Sequence, residues 1–341
     1  MIDLLVAGGG PAGLATAIRG ALAGLEVVVV EPRAAPIDKA CGEGLMPAAV
    51  AGLEQLGAAA AGRPFHGIRY LDASGGPAAD GLFRRGPGLG VRRTVLHGAL
   101  AARAAALGVQ VLPSRVEDVR QGADCVRAAG LAARYLVAAD GLHSPLRRRL
   151  GLAAPPVPGR QARYGLRRHY RIAPWSGFVE VHWSARAEAY VTPLADDQVG
   201  VALLTTVRAP FEEQLLGFPL LAARLSGAVA SPVRGAGPLH QRARSRVAGR
   251  VLLVGDAAGY VDALTGEGLT LAVHAAGELV RCVCAGRPQA YERAWRELSR
   301  SYRAVTTSLL WARRQRVLES RIVPLAVRLP GVFTRVVNLL A

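Results

Sequence analysis

Lysine is nearly absent from this chain, although its net charge is strongly positive. Lys39 is the only lysine among 42 Lys and Arg residues, so arginine carries almost all of the formal charge of +17. The arginines are scattered, apart from short clusters such as residues 147–149. Neither zinc-finger spacing nor an aromatic-glycine RNA-binding pattern accompanies them. We therefore attribute the charge to a compositional bias and predict no nucleic-acid partner.

Cysteine and long apolar runs are also scarce. The four cysteines, Cys41, Cys125, Cys282 and Cys284, are too few and too irregularly spaced for a disulfide framework, and we predict no metal site. No uninterrupted apolar run approaches the roughly 18 residues that cross a bilayer, and the first residues lack the pattern of a signal peptide. With 51% apolar residues the chain can still bury a substantial core. These features predict a folded, cytoplasmic protein.

The first thirty residues predict a βαβ unit. Residues 2–7 form a short apolar run typical of a buried strand, a glycine turn follows, and a helix extends to about Gly24. The run Val27 to Val30 then predicts a second buried strand, with a right-handed crossover between the two.

The rest of the pattern predicts an α/β fold: a Rossmann-type domain, an inserted antiparallel sheet and C-terminal helices. Segments between about 160 and 207 alternate like antiparallel strands, and residues 250–254 return to a buried strand. Residues 211–228 and the C-terminal part read as helical, broken at Pro324 and Pro330. The predicted domains are 1–66 with 93–157 and 246–285; 67–92 with 158–245; and a helical segment, 286–341.

The turn after the first strand carries a dinucleotide-binding fingerprint. Gly8 permits a tight turn, Gly10 lets the backbone approach a pyrophosphate, and Gly13 lets the helix pack on the sheet. Glu31 ends the second strand at about the 20-residue spacing of a carboxylate that bonds ribose hydroxyls. The fingerprint does not separate NAD from FAD. The neighbouring candidates for the same contacts are Pro11, Ala12, Pro32 and Arg33.

Two later segments distinguish between these two cofactors. Residues 135–149 place Asp140-Gly141 directly after a strand, and residues 251–269 begin a second turn with Gly255-Asp256. Both resemble flavin-binding signatures of the p-hydroxybenzoate-hydroxylase-like superfamily. The second one, together with residues 39–45, resembles geranylgeranyl reductases and their relatives. Residues 93–96 are similar to the arginine-bearing helix start that lies between these signatures.

The resemblance implies FAD as cofactor and assigns roles. Asp256 would accept hydrogen bonds from ribityl hydroxyls, and Arg93 would be a charge partner of the pyrophosphate or ribityl chain. Val116 would hold the adenine through its backbone, and Asp140 would lie near the cofactor. The helix opened by Gly266, Gly268 and Leu269 would face the pyrimidine edge of the flavin.

Cys41 and Gly42 would lie close to the flavin ring. Cys41 is either a reactive thiol of lowered pKa or a small residue packed against the ring, and the sequence leaves both interpretations open. Where relatives commonly have Asp-Pro after the Gly-Asp segment, this chain has Asp262-Ala263, which leaves the loop above the flavin undefined.

The resemblance implies a FAD-dependent, NAD(P)H-consuming oxidoreductase of a small, largely apolar substrate. We favour a monooxygenase (a hydroxylase or epoxidase of an aromatic, polyketide-like or isoprenoid compound) acting through a flavin C4a-hydroperoxide. The chain is short and has no long insertion to accommodate a lipid, which favours this over a reductase of carbon–carbon double bonds. NAD(P)H would visit transiently, because no second fingerprint is present. Halogenation is disfavoured, since no Trp-x-Trp-x-Ile-Pro segment occurs.

Two other classes stay open. One is a FAD-binding protein without turnover. The other is a membrane-surface protein that uses Ile322–Leu340, a stretch that mixes apolar residues with Arg328 and Arg335. We favour packing of these helices on the rest of the protein. The candidate substrate contacts on the middle sheet are Arg168, His169 and Tyr190. The first two cannot both face one pocket without a bulge, and for each of the three we favour an exposed sheet face over a substrate contact.

Overall fold

The computed structural model describes residues 1–76, 78–315, 318 and 320–341, and its first layer is a largely parallel sheet. Its strands are β1 (Ile2–Ala7), β2 (Val27–Val30), β8 (Gln110–Leu112), β9 (Val119–Gln121), β10 (Val126–Ala128), β11 (Leu131–Ala138), β17 (Val247–Ala248) and β18 (Val251–Leu253). Parallel pairing joins them in the order β8-β2-β1-β11-β18. Strand β17 pairs antiparallel with β18, and β10 and β9 continue antiparallel from β11.

Burial on both faces explains the apolar sequences of this sheet. All four valines of β2 are buried, as are the last four residues of β1. A strand covered on both sides needs apolar residues in succession instead of an alternating pattern. The carboxyl ends of the parallel strands therefore meet at one edge, where the connecting turns come together.

The second layer is a sheet that comes mostly from the middle of the chain. Its strands are β5 (Gly67–Asp72), β6 (Ala79–Leu82), β12 (Tyr164–Tyr170), β13 (Val179–Trp183), β14 (Ala187–Ala195), β15 (Gln198–Thr205) and β16 (Arg234–Ala236). They lie in the order β16-β12-β15-β14-β13-β5-β6. The sequence predicted an antiparallel sheet, but β13 and β5 pair in parallel, because the chain leaves the sheet after β6 and returns far away at β12. A third, small sheet consists of β3 (Gly44–Leu45), β7 (Gly88–Gly90) and β4 (Arg63–Phe65).

Helices cover the sheets and form the C-terminal part. They are α1 (Pro11–Leu22), α2 (Pro47–Leu56), α3 (Arg93–Ala106), α4 (Pro145–Arg149), α5 (Phe211–Leu215), α6 (Pro219–Leu225), α7 (Gly268–Cys284), α8 (Ala290–Leu298) and α9 (Arg300–Arg314), followed by Ile322–Arg328 and Pro330–Leu340; Gly255–Ala258 is a 3-10 turn.

Two helical predictions need correction. Residues 211–228 form two short helices, since Pro219 begins a new helix after Gly217. Pro324 does not break a helix, because it lies in the first turn of Ile322–Arg328, where a missing N–H leaves no backbone bond unmade. Pro330 does mark a break and begins the last helix.

The architecture confirms the predicted fold class, an α/β protein with a Rossmann-type sheet, a second sheet and C-terminal helices. The domain boundaries stay a prediction. Within the described residues, no single helix is long and apolar enough to cross a bilayer. Only the last two helices together reach that length and composition, and they are bent by 107° relative to each other.

Candidate cofactor and active site

A cavity of about 800 Å³ lies where the two large sheets meet the C-terminal helices. Its wall begins at the turn between β1 and α1, and includes residues 39–44 and the segments that follow β11 and β18. Strands β13–β15 and the two last helices complete it. Because the parallel strands end at one sheet edge, turns far apart in the sequence become neighbours here.

The glycines of the first turn are needed for different reasons. Gly8 has a φ of +115°, and a Cβ at Gly13 would lie 1.8 Å from the Gly8 carbonyl oxygen, so the protein itself requires both glycines. Gly10 lines the cavity, has an ordinary φ of −71°, and a Cβ there would meet nothing within 4 Å. The free space at Gly10 therefore fits a ligand that approaches the backbone, as predicted for a pyrophosphate.

Glu31 holds this turn in place through hydrogen bonds. Its carboxylate accepts hydrogen bonds from the Gly9 N–H at 2.8 Å and from Arg33 Nε at 2.8 Å. Burial alone would raise the pKa of Glu31, but the hydrogen bonds from Arg33 and Gly9 outweigh it and hold the pKa below its usual value. Arg33 lines the cavity, so Glu31 positions both the turn and a cation at the wall. Its contact with ribose hydroxyls stays a prediction.

Two buried polar atoms at the cavity wall have no hydrogen-bond partner in the described part of the chain. They are the acceptor Asp140 Oδ1 and the donor Arg93 Nε. The other Asp140 oxygen accepts the Leu146 N–H at 3.0 Å, yet burial dominates and raises the Asp140 pKa. Unpaired buried polar atoms are costly, so a polar ligand is expected beside them. FAD fits, because it carries both hydroxyl donors and phosphate acceptors.

Lys39, the only lysine of the chain, lies opposite Asp256. Lys39 Nζ is 3.2 Å from Asp256 Oδ2, and both residues line the cavity. The pair joins the loop before β3 to the turn after β18. A cofactor that lies between these loops would meet an ammonium donor and a carboxylate acceptor at the same place.

Arg147 is a buried positioning residue that the sequence does not reveal. Its guanidinium donates to the carbonyl oxygens of Asp256 at 3.1 Å, Ala257 at 2.9 Å and Leu142 at 2.8 Å. The side chain is only 1% exposed, and burial lowers its pKa. It thereby fixes the turn after β18 to the turn after β11. The sequence signal for it is its place in the helix start that follows Asp140-Gly141, but the run of arginines at 147–149 does not distinguish it from its neighbours.

The N-terminal end of α7 also faces the cavity. Gly266, Gly268 and Leu269 line the wall, and their contact with the flavin stays a prediction. The Glu267 side chain between them is 8% exposed, and its Oε2 has no partner among the described residues. Burial raises the pKa of Glu267 to about 8.

We expect Glu267 to make the stability of the FAD-free protein pH-dependent. Because folding raises this pKa from 4.5 to about 8, the protonated form stabilises the native state fully below pH 4.5, and this stabilisation is lost as the pH rises through 8. Glu267→Gln should therefore raise the free energy of unfolding at pH 8 by about 2–4 kcal/mol and leave it nearly unchanged at pH 4.5. Urea unfolding at both pH values measures this.

Glu278→Gln, farther along α7, is the control. Equal pH dependence in Glu267→Gln and the natural protein would contradict the prediction.

Cys41 lies in the cavity wall next to Gly42. Its sulfur accepts the Glu43 N–H at 3.4 Å, and the cysteine is half-buried. A Cβ at Gly42 would meet nothing within 4 Å, so this glycine, like Gly10, leaves room for a ligand. The thiol is therefore accessible from the cavity, which keeps a chemical role open for it.

Glu43 turns away from the solvent and joins this loop to the second sheet. It has a positive φ of 59°. Its Oε1 accepts the Arg93 N–H at 2.8 Å, and its Oε2 is 2.6 Å from His169 Nε2. Thr192 Oγ1 donates to the neighbouring Gly42 carbonyl oxygen at 2.8 Å. Glu43 thus positions both the Cys41 loop and the start of α3.

The part of the cavity beyond Cys41 is mostly apolar. Strands β13 and β15 contribute Val179, Val181 and Leu204, and the last helix contributes Phe333 and Val337. The Tyr190 side chain also lies here, and its hydroxyl donates to the Leu264 carbonyl oxygen at 2.7 Å. Since that hydroxyl is already bonded, this region offers an apolar substrate little besides surface contact.

The structure brings most of the predicted site residues to one wall. Those that line the cavity are Gly10, Pro11, Ala12, Arg33, Cys41, Gly42, Arg93, Asp140, Tyr190, Gly255, Asp256, Gly266, Gly268 and Leu269. Gly8, Gly13 and Glu31 belong to or support the first turn but do not line the cavity, and Pro32 is exposed outside the lining. Val116 is buried, and its carbonyl oxygen lies 3.5 Å from Arg149 Nη1, outside the cavity lining. Its contact with adenine stays a prediction.

Two of the three predicted substrate contacts need correction. Arg168 pairs with Glu212 at the surface and stacks on Phe211, and it does not line the cavity. His169 faces the other side of β12, as strand alternation requires, but it is fully buried behind Glu43 and is not part of the wall either. Sequence reasoning missed this pairing, because the two residues are 126 positions apart.

A Rossmann-type sheet, a pyrophosphate-compatible glycine turn and an adjoining apolar cavity define a flavin-dependent oxidoreductase. No protein-family model matches the chain. A menaquinone reductase of Mycolicibacterium smegmatis is 32% identical over 340 residues, covering 89% of this chain and 81% of the relative. The chain therefore belongs to the family that includes this reductase, within the FAD-dependent oxidoreductases of the p-hydroxybenzoate-hydroxylase-like superfamily.

Other similar proteins have names that denote different reactions. A rifampicin monooxygenase of Streptomyces venezuelae is 31% identical and covers 47% of this chain and 36% of its own length. A flavoprotein/dehydrogenase from Cytophaga hutchinsonii matches with a TM-score of 0.79 at 20% identity, over 91% of this chain and 87% of that one. A halogenase solved in complex with FAD has a TM-score of 0.73 at 18% identity, over 88% and 73%. Such structural likeness shows the fold.

Proposed function

We propose that this protein is a FAD-dependent, NAD(P)H-consuming monooxygenase of a largely apolar organic substrate. The observation that carries the proposal is the continuity of the cavity. One end offers the glycine turn, Arg93 and Asp256 to a cofactor, and the other end is lined by apolar side chains of the second sheet and the C-terminal helices. A substrate held at the apolar end would lie next to the ring system of the flavin.

FAD, when bound, supplies the electron transfer and the oxygen chemistry. The residues of this chain bind and orient it: Gly10 leaves room for the pyrophosphate, and Arg93 and Asp140 offer the unpaired donor and acceptor. The apolar wall formed by Val181 and Leu204 excludes water from the reacting atoms, which oxygen transfer requires. Monooxygenation places one oxygen atom in the product and reduces the other to water with the two electrons of NAD(P)H.

A reduction of carbon–carbon double bonds is the second candidate, and two observations favour it. Cys41 is accessible from the cavity beside the predicted ring position. The relative with 89% coverage is named a menaquinone reductase. Moreover, the C-terminal helices extend the apolar wall, so accommodating an elongated substrate needs no inserted segment. This removes one of the reasons for which the sequence favoured monooxygenation.

Reaction of the purified yellow protein with and without oxygen distinguishes the two reactions. The flavin is first reduced with NADH or NADPH under anaerobic conditions, and a panel of apolar phenols, polyketides, isoprenoids and menaquinone is added. For monooxygenation we expect no product until ¹⁸O₂ is admitted, and then a product that contains one ¹⁸O atom. A saturated product formed without oxygen would overturn monooxygenation in favour of the reductase. Failure of either nicotinamide to bleach the flavin would overturn the proposed electron donor.

Cys41→Ser gives an independent measure of the same choice. If the reaction is monooxygenation and Cys41 only packs against the ring, turnover should stay within about threefold of the natural protein, since no proton transfer is lost. If Cys41 delivers a proton to a reduced double bond, turnover should fall by about 10²-fold while FAD content is unchanged. FAD released by denaturation and quantified by its absorbance is the control for cofactor loss.

A further inference from the structure

Three apolar side chains belong both to the cavity wall and to the molecular surface. Leu325, Leu329 and Val332 line the cavity and are 45%, 51% and 54% exposed. We call these three residues the rim. Because each of the three lines the cavity and is about half exposed, we place them at its opening. The apolar cavity therefore reaches the surface between the last two helices.

The rim belongs to firmly packed helices. Ala326, Phe333 and Val337 of the same two helices also line the cavity, but they are buried against β5 and β6. Asn338 Nδ2 donates to the Leu82 carbonyl oxygen at 2.7 Å, and Asn338 Oδ1 accepts the Arg84 N–H at 2.8 Å. The exposure of the rim is thus a consequence of how these helices are held.

The charged side chains of residues 320–341 are all positive. Residues 320–341 contain Arg321, Arg328 and Arg335, all exposed, and no Asp or Glu. A second copy of this chain would bring the same positive charges against them. An anionic lipid surface would instead attract each arginine and accept the apolar side chains between them.

We propose that the rim docks on an anionic lipid bilayer, so that an apolar substrate passes from the membrane into the cavity without crossing water. The bent arrangement of the two helices allows them to lie at the interface instead of crossing it, with the apolar side chains inserted and the arginines at the headgroups. The docking depends on the rim and its arginines alone. The passage of substrate rests on the proposed function.

Co-sedimentation of the FAD-loaded protein with vesicles tests the docking without any turnover. Vesicles of phosphatidylcholine with phosphatidylglycerol are compared with vesicles of phosphatidylcholine alone. We expect the natural protein to bind the anionic vesicles at least about tenfold more strongly. This preference should shrink near 1 M salt, where the electrostatic screening length falls to about 3 Å. The double variant Leu325→Gln/Val332→Gln should lose about tenfold or more of the vesicle affinity.

A matched control separates the rim from general surface hydrophobicity. Leu216 and Leu220 are 70% and 62% exposed and do not line the cavity, so Leu216→Gln/Leu220→Gln should bind vesicles like the natural protein. Thermal unfolding and FAD content show whether each variant is folded.

Equal vesicle binding by the rim variant and the natural protein would overturn the proposal. So would a protein that stays in the supernatant with all vesicles, or a dimer in sedimentation velocity that the rim variant converts to a monomer. Absence of turnover with vesicle binding intact would instead count against the proposed function.

Discussion

Gly10→Ala is expected to lower the affinity for FAD by about 5- to 140-fold while the FAD-free protein keeps its fold. A Cβ at position 10 would meet no protein atom within 4 Å, but it would enter the space at the glycine turn that lines the cavity. Overpacking of this kind costs about 1–3 kcal/mol, and each 1.4 kcal/mol is about a factor of ten in affinity. Titration of the FAD-free variant with FAD, followed by flavin fluorescence, measures the change.

Two other glycines provide the controls for this substitution. Gly98 lies on the exposed side of α3, outside the cavity lining, and a Cβ there also meets nothing within 4 Å. Gly98→Ala should leave FAD affinity unchanged and stabilise the helix by up to about 1 kcal/mol. Gly13→Ala should instead impair folding itself, because its Cβ would lie 1.8 Å from the Gly8 carbonyl oxygen. Unchanged FAD affinity in Gly10→Ala would show that no cofactor approaches this turn.

Glu43→Ala is expected to lower the free energy of unfolding by about 2–5 kcal/mol, because it removes the hydrogen-bond acceptor of two buried groups. Glu43 and His169 are 2% and 0% exposed, and the change leaves His169 Nε2 and the Arg93 N–H without their acceptor. FAD content and turnover should fall as well, since Glu43 also positions the Cys41 loop. Urea unfolding and flavin absorbance measure the two effects.

A double-mutant cycle tests whether the effect comes from this pair. Glu43→Ala, His169→Ala and the double variant should show a coupling of about 1–3 kcal/mol, as expected for residues in direct contact. The neighbouring pair Arg168–Glu212 lies at the surface, with Glu212 60% exposed, so Glu212→Ala should cost less than about 1 kcal/mol. Additive effects of the Glu43 and His169 substitutions would show that their hydrogen bond contributes nothing.

Arg168 and His169 illustrate what strand alternation can and cannot predict. Strand alternation correctly places them on opposite sides of β12. Alternation does not specify which residue each side chain contacts. Arg168 pairs with Glu212, and His169 pairs with Glu43. The same holds for Arg147, whose three carbonyl partners include residues more than a hundred positions away.

The sequence by itself determined the fold class, the glycine turn and the cofactor family. These depend on local chemistry: runs of buried valines, glycines at fixed spacing, and acidic residues directly after strands. Only the tertiary structure decided that Lys39 faces Asp256, that Glu43 binds His169, and that the C-terminal helices open the cavity to the surface. Each of these contacts joins distant parts of the chain, and the packing of two sheets and a helix pair fixes them. No local pattern encodes that geometry.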